Sequence, residues 1–186
     1  MRSILFVGGC RSGKSGLAQR WTEASAARRT FFATARAVDE DMRERIALHQ
    51  NLRGPSWDCV EEPLDVLAAM RSSTQSSGAL LLDCVSFWLC NLMERGLTNK
   101  DILAQAEDLG RWLKSPPLPV ALVTHESGCG VAPANALGNR FRDINGEANQ
   151  ILANHCHTVI FVSCGLPLPL KGALELSCVS HSVLSL

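Results

Sequence analysis

The sequence has no excess of charge: eighteen lysines and arginines balance eighteen aspartates and glutamates over 186 residues. Such a surface has no general attraction for nucleic acid or an anionic membrane, and a small-molecule partner is favoured. No Cys-x-x-Cys pair occurs among the eight cysteines (Cys10, Cys59, Cys84, Cys90, Cys129, Cys156, Cys164, Cys178). With no secretory signal ahead of them they read as reduced, mostly buried thiols of a cytoplasmic protein. "VGGC", ending at Cys10, has too few apolar residues before it for a lipoprotein signal, and its glycines have a better explanation below. Long hydrophobic runs are also missing. The longest, "ALLLDCVSFWLCNLM" from Ala79, is interrupted by Asp83 and falls short of the roughly 20 residues that a helical membrane span needs. There are no internal repeats and no low-complexity segments.

What is present is a 46% hydrophobic chain, enough for one compact domain with a sizeable core. That domain is expected over residues 1–171, with 172–186 as a C-terminal extension of unknown role. "SILFV" is a short apolar run ending in glycines, as a strand buried on both faces would be. "TFFATA", "ALLLDCV", "VALVTHE" and "HTVIFVSCG" read as four further strands. Helical stretches lie between them: "SGLAQRWTEASAA", a helix placing Val38, Met42, Ile46 and His49 on one face, "FWLCNLM" followed by 99–114, and the long amphipathic "LGNRFRDINGEANQILANHC". The alternation predicts an α/β fold, a three-layer P-loop NTPase-like sandwich with a mainly parallel central sheet.

The glycines before and after Cys10 belong to "FVGGCRSGKSG": Gly8, four residues, then Gly13, Lys14 and Ser15. Between a strand and a helix this is a phosphate-binding loop. Backbone N–H groups of residues 9–15 turn toward phosphate oxygens, and the helix adds its positive N-terminal end. Lys14 offsets the β and γ phosphates, and the Ser15 hydroxyl ligates Mg²⁺. Asp83, at the end of a buried strand, is placed either to hold that Mg²⁺, directly or through water, or to cap the helix after it.

Other residues leave alternatives open. His49 is either a packed core histidine or a catalyst. Arg53 can meet phosphate. Glu61 or Glu62 can accept two hydrogen bonds from the N1–H and amino group of guanine, or the pair is a solvated acidic turn. Thr124, His125 and Glu126 face the nucleotide or its acceptor, or lead into a flexible turn at Gly128 and Gly130. In "HCH" (155–157) adjacent side chains diverge and no fourth ligand is evident, which speaks against zinc.

Taken in order, "GGCRSGKS", "ATA", "RIALHQNLRGPSW", "EEP", "LLLDCVSFWLCNLM", "HESGCGVAPANALGNRFRDINGEANQ" and "GLPLPLK" resemble the adenosylcobinamide kinase / adenosylcobinamide-phosphate guanylyltransferase family, over about Ile4 to Lys171. The resemblance implies a bifunctional enzyme of late cobalamin synthesis. Such an enzyme phosphorylates adenosylcobinamide, then transfers GMP from GTP onto that phosphate and releases pyrophosphate. It implies His49 as the guanylylated nucleophile. It further implies nucleotide contacts at Gly8, Gly9, Cys10, Arg11, Ser12, Gly13, Lys14, Ser15, Ala33, Thr34, Ala35, Gln50, Asn51, Leu52, Arg53, Glu61 and Asp83. GTP and ATP are the implied nucleotides, with either as kinase donor, the corrinoid is the acceptor, and the implied assembly is a homotrimer. Cys10 stands where the family usually has alanine, and His125 where asparagine is common. Two other readings of the same residues are a P-loop kinase of another small metabolite with a structural His49, and a nucleotide-dependent corrinoid-binding switch.

Overall fold

The computed structural model describes residues 3–36 and 56–174. The expected helix through Val38 to His49, the stretch Gln50–Arg53 and most of the C-terminal extension lie outside them. Seven strands form one sheet: β1 (Ser3–Gly8), β2 (Arg29–Ala33), β3 (Trp57–Glu61), β4 (Ala79–Asp83), β5 (Val120–His125), β6 (Thr158–Ser163) and β7 (Leu166–Lys171). Their spatial order is β3-β2-β4-β5-β1-β6-β7. All neighbouring pairs are parallel except β6 and β7, which form an antiparallel hairpin.

The apolar runs explain the centre of the sheet. β1, β4 and β5 are buried along almost their whole length, as strands covered on both faces must be. Ile4, Phe6, Leu81, Ala121 and Val123 pack on one face beneath Leu17, Ala18 and Trp21 of α1 (Lys14–Ser25). Leu5, Val7, Leu80, Leu82, Val120 and Leu122 turn to the other face. There they meet α2 (Val66–Ser73), α3 (Val85–Glu94), α4 (Asn99–Leu113) and α5 (Ala136–His155). The result is the expected three-layer α/β sandwich of P-loop NTPase-like architecture, with a mostly parallel sheet.

All five expected strands are present, and three elements were not expected. β3 and β7 are the sheet edges, exposed over most of their length, so neither shows the apolar run of a buried strand. β7 reads Leu-Pro-Leu-Pro-Leu-Lys, and proline, which lacks an N–H, is tolerated in a sheet chiefly at its edge. The eight-residue α2 buries only Val66 and Met70, too short an apolar pattern to stand out. Among the described residues no helix is long and apolar enough to cross a membrane.

Candidate active site

The parallel strands end on a common edge, and the pairing register lines up the residues there. Gly8 stands opposite His125, and Ala33 stands opposite both Asp83 and Glu61. The glycine loop leaves this edge from β1. Arg11 and Gly13 both take positive φ (54° and 93°), which glycine adopts freely and other residues rarely. Gly8 is confined from beneath: a Cβ there would collide with the Val162 carbonyl and lie 2.7 Å from Ser12 Oγ. The turn after β6 buttresses the loop, since the Gly165 N–H donates to the Ser12 carbonyl at 2.9 Å. A Cβ on Gly13 would lie 3.2 Å from Gly165 Cα. Cys10 and Arg11 are exposed at the tip, whereas Ser12 is buried and its hydroxyl has no partner.

Lys14 opens α1 and is only 5% exposed. Its ammonium donates to the Gly9 carbonyl at 3.1 Å. Burial lowers its pKa, while the negative charge of Asp83 works in the opposite direction. Ser15, half-buried, makes no hydrogen bond through its hydroxyl among the described residues. A hydroxyl and a carboxylate are the hard oxygen donors that Mg²⁺ takes, so Ser15 and Asp83 fit a Mg–nucleotide.

Thr34 clamps two strand ends together. Its hydroxyl donates to the Cys84 carbonyl at 2.7 Å and accepts from the Cys84 N–H at 2.9 Å, and Asn91 Nδ2 donates to the Thr34 carbonyl. With both hydroxyl functions engaged, Thr34 holds the edge in shape, between Ala33 and Ala35. The two glutamates differ. Glu62 Oε1 accepts from the Leu64 and Asp65 N–H groups at 2.8 and 2.9 Å, capping the approach to α2. Glu61 is exposed at the end of β3, with no partner for its carboxylate among the described residues. It lies four strand positions from Gly8, about 19 Å at the usual interstrand spacing. Glu61 therefore cannot touch the phosphate groups that the loop holds.

His125 ends β5, and a buried polar network fixes its backbone. Its N–H donates to Ser86 Oγ at 2.9 Å, and its carbonyl accepts from Asn145 Nδ2 and Asn149 Nδ2 at 2.8 and 3.0 Å. Ser86 donates to Asn145 Oδ1 and Thr124 to Asn149 Oδ1. Asn91, Ser86, Asn145 and Asn149 are the functional-edge residues that motif reading missed. The available signal was a pair of asparagines four apart beside Ile144 and Ala148, polar residues within the buried stripe of α5. The "HCH" residues face separate partners: His155 meets Glu107, Cys156 is buried, and His157 meets Ser3.

A glycine loop between β1 and α1, backed by acidic, basic and amide side chains at the carboxyl edge of a parallel sheet, defines a protein of the P-loop NTPase-like class. Within that class the assignment is specific. Residues 4–170 match the family described as Cobinamide kinase / cobinamide phosphate guanyltransferase, and the chain belongs to that family. It is thus an enzyme of the kinase and nucleotidyltransferase type. It is 39% identical over 168 residues to the "Bifunctional adenosylcobalamin biosynthesis protein CobP" of Pseudomonas aeruginosa, covering 90% of this chain and 96% of that protein. The proteins named "Bifunctional adenosylcobalamin biosynthesis protein CobU" in Escherichia coli and Salmonella typhimurium are 31% and 32% identical, each across 90% of this chain and 99% of the relative.

Proposed function

We propose that this protein phosphorylates adenosylcobinamide and then transfers GMP from GTP onto adenosylcobinamide phosphate, giving adenosyl-GDP-cobinamide and pyrophosphate. The observation that carries the reading is one sheet edge bearing the loop of Gly8 to Ser15, Asp83 and Glu61, in a chain that matches the family from residue 4 to residue 170. Lys14 offsets phosphate charge. Ser15 and Asp83 would hold Mg²⁺, which spreads the charge of the phosphates when bound. Glu61, rather than the engaged Glu62, reads guanine through paired hydrogen bonds. Gln50, Asn51, Leu52 and Arg53 complete the nucleotide contacts, as the resemblance implies.

In the transfer step a neutral imidazole nitrogen of His49 attacks the α-phosphorus of GTP. A nitrogen–phosphorus bond forms, the bond from the α-phosphorus to the bridging oxygen breaks, and pyrophosphate leaves with that electron pair. The ring's other N–H proton passes to solvent. An oxygen of the corrinoid phosphate then attacks the same phosphorus, the nitrogen–phosphorus bond breaks with its electron pair going to His49, and the imidazole regains a proton from solvent, so one displacement between two anions is divided into two. In the kinase step positioning and charge stabilisation carry the catalysis. A cytoplasmic homotrimer completes the reading, and the exposed Leu166, Leu168 and Leu170 of β7 are an apolar surface that such an assembly would cover.

Incubation with Mg²⁺ and GTP labelled at the α-phosphate, followed by mass measurement of the intact protein, tests this. The wild type gains the mass of GMP in an acid-labile, alkali-stable bond. His49→Ala does not gain it, yet still phosphorylates adenosylcobinamide. A wild type that never gains the mass, or a His49→Ala variant that does, leaves a plain kinase in place of the covalent mechanism.

A further inference from the structure

The turn between β6 and β7 meets the phosphate loop from outside. Ser163 pairs with Leu166, so Cys164 and Gly165 are the two residues of the turn, and both take positive φ (53° and 79°). A two-residue hairpin turn of this handedness closes through a bond from the N–H of its fourth residue to the carbonyl of its first. Its third residue, here Gly165, keeps a spare N–H. That N–H donates to the Ser12 carbonyl at 2.9 Å. The approach is close enough that a Cβ on Gly13 would lie 3.2 Å from Gly165 Cα.

Peptide geometry carries this contact into the loop. A trans peptide unit is planar, with its C=O and N–H pointing in opposite directions. Because the turn holds the Ser12 carbonyl, the Gly13 N–H of the same peptide unit points away from the turn. Positive φ at Arg11 and Gly13, on either side of Ser12, is the alternation that gathers successive N–H groups into a concave anion nest. The Gly13 N–H therefore faces the interior of the loop, which the Lys14 side chain spans to reach the Gly9 carbonyl. Rotation of this peptide would put a carbonyl oxygen among the phosphates in place of a donor.

Resting on the nucleotide binding of the proposed function, we infer that Gly165 is a positioning residue of the nucleotide site: its N–H pins the Ser12 carbonyl and so holds the Gly13 N–H toward the β and γ phosphates. Gly165 touches no substrate and acts through the Ser12–Gly13 peptide alone. Cys164 belongs to the same device, because its left-handed conformation, which residues other than glycine rarely adopt, sets the direction of the Gly165 N–H. The nucleotide contacts implied above end at Asp83, so this assignment extends the site to the last hairpin of the sheet.

Cys164 allows the test to be made on the backbone itself. Residues 1–163 as a thioester, ligated through Cys164 to synthetic 164–186, rebuild the full chain. Glycolic acid in place of Gly165 turns the 164–165 amide into an ester, which removes the N–H and leaves the side chains unchanged. Leucic acid in place of Leu166 instead deletes the bond that closes the turn, and serves as the structural control. Compared with the all-amide product, the Gly165 ester should bind Mg²⁺–GTP about 3- to 10-fold more weakly, as loss of one neutral hydrogen bond predicts, while the Leu166 ester stays within about twofold. Linkage makes the effect reciprocal. In the wild type, saturating Mg²⁺–GTP should therefore slow hydrogen exchange at the Gly165 amide by about the same 3- to 10-fold. Exchange needs no ester and decides the matter if an ester protein does not refold. Equal GTP affinity of the Gly165 ester and the all-amide protein, equal losses in the two esters, or exchange at Gly165 that ignores GTP would overturn the inference while leaving the functional reading standing. A wild type that binds no GTP would overturn both.

Discussion

The Lys14 ammonium donates a 3.1 Å hydrogen bond to the carbonyl of Gly9, five residues earlier in the same loop. In the proposed reaction this contact is exchanged for phosphate oxygens, so the lysine is already directed at the loop before nucleotide arrives. Lys14→Ala removes both the contact and the charge. Nucleotide turnover should fall at least tenfold, consistent with about 2 to 4 kcal/mol of transition-state stabilisation from such a group. Steady-state kinetics with circular dichroism as a fold control checks this, and near-normal turnover in a folded variant would remove the loop from the mechanism.

The unequal engagement of Glu61 and Glu62 gives a paired prediction. Glu61→Gln should narrow the preference for GTP over ATP in the transfer step, because an amide cannot accept both guanine hydrogen bonds. Glu62→Gln should leave that preference intact. It should instead lower stability by about 0.5 to 1 kcal/mol, since it weakens the bonds to the Leu64 and Asp65 N–H groups at the start of α2. If selectivity moves with Glu62 and not with Glu61, the assignment is reversed.

The elements that sequence made legible are those whose physics is local. Buried parallel strands announce themselves as continuous apolar runs, and the loop as glycines, Lys14 and Ser15 at fixed spacing. β3 and β7 were hidden because an edge strand, covered on fewer sides, needs no apolar run, and β7 carries two prolines besides. Glu61 could not be separated from Glu62, since the difference lies in where the chain turns into α2. The bracing of the edge by Thr34, Ser86, Asn145 and Asn149 was illegible for a similar reason. It joins β2, α3 and α5 through hydrogen bonds between residues up to 59 positions apart. For His49, helical spacing alone left the role undecided, and the nucleophile's role is what the resemblance implies.

Away from the site, α4 and α5 pack so closely at Gly110 that an added Cβ would overlap the His155 ring, with Cγ only 3.0 Å away. His155 Nε2 and Glu107 Oε1, 2.9 Å apart, hold that ring in place. Gly110→Ala would gain about 1 kcal/mol of helix propensity, but the ring must move and the pair must break. Overpacking should win, with a net loss of about 1 to 3 kcal/mol in urea unfolding. Because His155 lies just before β6, at the sheet edge opposite the phosphate loop, activity per folded molecule should stay unchanged. A more stable variant would mean that the helices can separate freely there.

The depressed pKa of His125 has a consequence for the fold itself. In the folded protein it lies near 4, chiefly through burial and secondarily through Lys14, against about 6.5 for a free histidine. Between those values the unfolded chain binds a proton that the folded chain does not, so stability must rise with pH across that window. The contribution is complete above about pH 6.5, falls as acid is added, and is gone below about pH 4. Carboxylates and other histidines also titrate in this range, so the wild-type curve alone would not isolate it. His125→Gln removes only this titration. The urea midpoint of the wild type should therefore drop more between pH 7 and pH 5 than that of His125→Gln, with the gap closing again above pH 7. Parallel curves would mean that the imidazole is free to take a proton in the folded state, and that it is not confined beside Lys14 and Cys84.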